Sequence, residues 1–137
     1  MKIKSLLVLL TLGLSACTGG KYAGVPKQYN ELISQTMQTA GDNAKELRKA
    51  LKQAPTTQRE GMAFLISYMP ERDAKALTAD FLLENVDYAY KARAEFPWAK
   101  EVPNDIFLND VVAYVNLNEK RENWRKDFYE RFKKYVA

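Results

Sequence analysis

An all-α fold is the expectation for this chain, on three observations. Apolar residues recur at helical spacing from Pro26 onward. No segment sustains the period-2 alternation of a half-buried strand. Glycine and proline fall between the periodic stretches, where they stop helices. The reading is a compact bundle or array of five to seven short helices over residues 26–137, one domain by length, preceded by a leader.

The leader occupies residues 1–16 and is read as a cleaved signal peptide. MKIK is a positive start, and SLLVLLTLGL is an apolar run of about ten residues, where a transmembrane helix needs roughly 20. Leu14-Ser15-Ala16-Cys17 follows and resembles the lipobox of bacterial lipoproteins. That resemblance implies cleavage before Cys17, a diacylglycerol group on its sulfur and acylation of its amine. The chemistry needs a cysteine because a thiolate is the nucleophile that takes the lipid. Each buried CH₂ contributes roughly 0.8 kcal/mol, so two or three acyl chains anchor where one does not. Thr18 stands where an Asp would imply retention at the inner membrane, so the resemblance implies an outer-membrane lipoprotein of the cell envelope. No acidic run follows, which fits the periplasmic face. Residues 17–25 then read as the lipidated cysteine and a flexible tether, TGGKYAG. An ordinary signal peptide with an incidental cysteine is the competing reading.

The body begins with Tyr29, Leu32, Ile33, Thr36, Met37 and Ala40, one stripe at helical spacing. Gly41 ends this helix, and Asp42 or Asn43 can cap the next. Ala44, Leu47, Leu51 and Ala54 form a narrower stripe, broken by Pro55. Thr57 and Glu60 have capping-box spacing ahead of an apolar run from Met62 to Met69, the most buried helix expected. Those methionines read as core filler, and Pro70 stops the helix. Leu82, Leu83, Val86, Ala89 and Tyr90 define the next inner face, with Asp80, Glu84, Asp87 and Lys91 opposite. This acidic row reads as a solvated face, with Asp87 and Lys91 one turn apart. Pro97-Trp98 makes a rigid turn with a large anchor, and Pro103 suits the first turn of a further helix. The last stretch, NEKRENWRKDFYERFKKYVA, is basic, aromatic and helical in pattern.

Composition excludes several chemistries. The chain has no histidine and one cysteine. There is thus no imidazole base or ligand, no internal disulfide and no cysteine-cluster zinc site. No catalytic residue, metal ligand or cofactor site is assigned. The formal charge of +4 includes Lys2 and Lys4 of the leader, and residues 118–137 alone carry +3. The basicity is local, and Glu122–Lys126, Asp127–Arg131 and Glu130–Lys134 are spaced to pair along a helix. No nucleic-acid partner is expected.

FLISYMPERDAKAL and FLLENVDYAYKARAEFPWAKEVPNDIFLNDVVAYVNLNEKRENWRKDFYERF together resemble the helical N-terminal region of bacterial transglutaminase-like lipoproteins, of the transglutaminase/protease superfamily. MPERD, LLENVDYAY, PWAKEVP, IFLNDV and NEKRENWR carry the resemblance, over roughly residues 64–132. It implies that the helical part precedes a domain with a Cys-His-Asp triad, in which a thiolate attacks an amide carbonyl. None of that triad maps onto this chain, whose only cysteine is Cys17.

The leading functional expectation is a non-catalytic, membrane-anchored helical module for protein interaction or scaffolding. Its partners would be the membrane, through the lipid, and a transglutaminase-like catalytic domain or another envelope protein. The alternative is the N-terminal fragment of a cysteine transglutaminase-like or protease-like enzyme. Carboxylate catalysis by Glu71/Asp73 or Asp80/Glu84 is a weaker reading. Trp98, Trp124, Phe128 and Tyr129 are the candidate interface residues. Core packing competes for the two tryptophans, and Trp124, Phe128, Phe132 and Tyr135 make the narrow stripe of a packed helix. Were no following domain to cover it, apolar surface near this helix would be exposed.

Overall fold

A computed structural model describes residues 21–115 and 119–136. The lipobox, Leu14 to Cys17, lies outside the described residues. The protein is all-α, with no strand among the described residues. Five longer helices carry the architecture: α1 (Asn30–Ala40), α2 (Ala44–Gln53), α3 (Arg59–Ser67), α5 (Ala79–Glu95) and α8 (Trp124–Val136). The short α4 (Glu71–Ala74), α6 (Pro97–Lys100) and α7 (Asn104–Ile106) connect them, and α7 continues into a π-helical turn, Phe107–Val111.

Each helix buries the face that its apolar spacing defines. Ile33, Met37 and Ala40 of α1 pack with Leu47, Ala50 and Leu51 of α2. α3 is buried almost all round, with Met62, Ala63 and Ile66 fully enclosed. α5 packs on α2 and α3 through Leu82, Val86 and Ala89. Phe107, Leu108 and Val112 close this main core. Gly41 turns the chain between α1 and α2 with φ +56°, a conformation that costs a side chain dearly and glycine little.

Two expected caps give way to tertiary contacts. Asn43 does not cap α2; its amide donates to the carbonyls of Ala74 and Leu77, at 2.8 and 2.9 Å. It thereby satisfies orphan carbonyls after α4. Thr57 and Glu60 form no capping box, because Thr56–Gln58 is a 3₁₀ turn and α3 starts only at Arg59. Residues 21–25, read as tether, lie against the body. Val25 is buried and Tyr22 packs on the core, while the Ala23 carbonyl accepts from Arg59 at 2.9 Å.

A second, smaller cluster sits apart from the main core. Phe96, Ala99 and Tyr129 are buried together, with Tyr88 and Ala92 against them. This cluster is where α8 meets the end of α5 and the turn of α6.

Candidate functional site

The site is built on the C-terminal half of α5. Tyr88, Ala92 and Phe96 form its floor, with Phe96 held in extended backbone by Pro97 at the first position of α6. That turn swings Trp98 over Phe96, ring planes 7° apart and centroids 5.9 Å apart. α8 forms the opposite wall with Trp124, Phe128, Phe132 and Val136. The result is an open apolar groove of about 320 Å³.

α8 is held by three kinds of contact. Arg125 reaches inward and donates to Asn85 Oδ1 and the Ala113 carbonyl, each at 2.5 Å, and to the carbonyl of Val111. Asn85 in turn donates to Val112 O at 2.7 Å. Burial pushes the Arg125 guanidinium down to about 10, so it stays charged at neutral pH. Tyr129 is buried against Tyr88 and Phe96, and its hydroxyl donates to Glu95. Finally, Trp98 Nε1 donates to the Val136 carbonyl at 3.3 Å.

Outside these contacts the aromatic stripe of α8 faces solvent. Trp124, Phe128, Phe132 and Tyr135 are 41%, 55%, 43% and 72% exposed, and Trp98 is 57% exposed. Successive rings touch along the helix, with centroids 6.0, 4.6 and 6.4 Å apart. This corrects two expectations. The tryptophans are not core residues, and the α8 stripe is not the seam that packs on the body. Tyr129, three residues from Phe132, takes that role and is only the groove's buried floor. Thus Trp98, Trp124, Phe128 and Tyr129, chosen from the sequence, come together around one groove, three of them accessible.

The charges around the groove are arranged differently from the expected ladder. Asp127 and Arg131 do pair, at 2.8 Å. Glu130 takes Lys133 at 2.8 Å rather than Lys134, and this pairing lowers the glutamate's pKa and raises the lysine's. Glu122 precedes α8, so it has no helical partner in Lys126. Lys91 lies 4.6 Å from the Tyr129 ring, a cation–π contact, while Asp87 accepts from Gln58.

A second recess lies across the body. Asp73, buried at the start of α4, accepts from Tyr114 at 3.0 Å and from Arg121 at 3.1 and 2.8 Å. Burial first, then the adjacent Asp73 carboxylate, pushes the Tyr114 phenol well above its ordinary range. This group borders a cleft of about 720 Å³ walled by Phe64, Tyr68, Met69 and Val115. Glu71 faces outward to Lys75 at 2.5 Å, and Asp80 to Lys49 at 3.0 Å. Neither proposed carboxylate pair therefore faces across a cleft. No cluster of metal-ligating side chains occurs among the described residues.

No family model, curated protein or solved structure matches this chain.

The sequence pattern offered Asp73 only as half of a carboxylate pair with Glu71, and did not single out Arg121 or the Arg125–Asn85 pair. For Asn85 a signal existed: it stands between Leu82 and Ala89 on the inner face of α5, where a polar side chain must find a buried partner. Asp73 and Arg121 are 48 residues apart, and nothing local links them.

Proposed function

We propose that this protein is a non-catalytic, membrane-anchored helical module of the bacterial cell envelope, acting by surface contact as a scaffold or protein-interaction domain. The observation that supports it is the preformed aromatic groove. Six large apolar side chains, Trp98, Trp124, Phe128, Phe132, Tyr135 and Val136, are left exposed on and around α8, against two, Tyr68 and Ile106, on the rest of the described body. Exposed patches of this kind mark contact sites. A lipid on Cys17 would hold the module at the outer membrane, facing the periplasm. The resemblance of residues 64–132 implies a transglutaminase-like catalytic domain or another envelope protein as a further partner.

The test uses the full chain expressed in a bacterial host. It should fractionate with membranes, and Cys17→Ser should release it. The purified protein should bind an environment-sensitive hydrophobic dye, and Phe128→Ser should weaken that binding. Amide hydrolysis or transfer by the purified chain would overturn the proposal, as would dye binding indifferent to the substitution.

A further inference from the structure

We infer that the groove and the exposed face of α8 are a second membrane contact, seated in the headgroup region of an anionic phospholipid bilayer. The inference rests on the reading of Cys17 as the lipid anchor and names what the contact surface touches.

Three observations favour a bilayer. The first is chemistry. With Arg125 turned inward, α8 shows four basic and two acidic side chains, a net +2, beside an uncovered row of Trp, Phe and Tyr. Aromatic rings with a polar edge settle at the level of lipid headgroups, and lysine stems extend along them to reach phosphates. Helices of this composition lie in the interface plane with their apolar face down. At about 1.5 Å per residue, the 13 residues of α8 offer a face about 20 Å long.

The second is charge complementarity. A second copy of the chain would set one basic face against another, whereas an anionic surface attracts it.

The third is position. Lys21 already lies on the body, with its ammonium 2.8 Å from Ser34 Oγ. It stands four positions after Cys17, a reach of at most about 14 Å. Ala23 accepts from Arg59, and the neighbouring Gln58 donates to Asp87 at 3.0 Å. The next residue, Tyr88, is the floor of the groove. The tether's exit thus lies on the helical body itself, within a short reach of Cys17.

The test exploits Trp98 and Trp124, the chain's only two tryptophans, both at this surface. The full chain with its native N-terminus is reconstituted into phosphatidylglycerol-containing vesicles whose acyl chains carry bromine, a contact quencher. Vesicle flotation and tryptophan emission are read separately. The expected result is flotation with blue-shifted, strongly quenched emission. Phe128→Ser combined with Phe132→Ser should abolish the quenching while flotation persists through the lipid. Lys126→Glu with Lys134→Glu should weaken it in anionic vesicles only. Far-UV circular dichroism checks that these exposed substitutions leave the helices intact. Flotation with unquenched emission overturns the bilayer contact and leaves the anchor standing, as does crosslinking of residue 128 to protein alone. Quenching without flotation of the Phe128→Ser/Phe132→Ser protein supports the contact and removes the anchor. Loss of both readouts in the native chain removes both.

Discussion

Arg125→Ala should detach α8 while leaving the main core folded. The guanidinium makes three hydrogen bonds, to Asn85 and to the carbonyls of Val111 and Ala113. Bonds to a charged group contribute roughly 1.5–3 kcal/mol each, and removing the donor leaves part-buried acceptors unpaired. Against this stands the cost of burying the guanidinium, visible in its depressed pKa. A net loss of about 2–4 kcal/mol follows. The other attachments of α8 are Tyr129, whose burial contributes about 2 kcal/mol, and the indole bonds from Trp124 to the Tyr114 carbonyl and from Trp98 to the Val136 carbonyl, at 3.2 and 3.3 Å. Arg125 is therefore one of the largest single contributions to the docking of α8. The main core draws its buried residues from Val25 through Tyr114 and none from α8. Both tryptophans report on the α8 region, whereas far-UV circular dichroism reports on all helices. In a urea titration, the variant's fluorescence transition should move to lower denaturant, ahead of the dichroism transition. Arg125→Lys, with a single point of donation, should fall between. Coincident transitions shifted equally would refute the division into two clusters.

Further outcomes follow from other contacts. Gly61→Ala would place a Cβ 2.7 Å from Tyr90 Cε2, so overpacking of ~1–3 kcal/mol should exceed the helix-propensity gain of ~1 kcal/mol. A urea melt showing net stabilisation would contradict this. Asn43→Ala removes both bonds to the carbonyls after α4 and should cost about 1–2 kcal/mol by the same assay. Burial raises the phenols of Tyr29, Tyr90 and Tyr114 above their unfolded value. Their contribution is complete below about pH 10 and is lost as pH rises beyond it, because the unfolded tyrosines ionise first. Tyr114→Phe should flatten that alkaline decline; an unchanged slope, read with tyrosinate absorbance, would count against it.

Much of the fold was legible because periodicity reports burial directly. Ile33, Leu47, Ile66, Leu82 and Val86 were on predicted inner faces and are fully buried. Prolines 55 and 70 fell between helices as expected. Caps were less legible, because Asn43 had a better tertiary use than the local one. α8 was misjudged for a related reason. A pattern at helical spacing shows that apolar side chains share a face, and it is silent on whether another element covers that face. Trp124, Phe128 and Phe132 share one, yet the body meets α8 through Tyr129 and Arg125. Long-range polar contacts such as Asp73 with Tyr114 and Arg121 leave no periodic trace at all.

Membrane anchoring turns on the chemistry at Cys17. Mass spectrometry of the protein isolated from bacterial envelopes reads it in one step. The expected result is a chain beginning at Cys17 and carrying the added mass of a diacylglyceryl group. A chain with its leader intact, or with Cys17 removed or unmodified, would contradict the membrane-anchored reading.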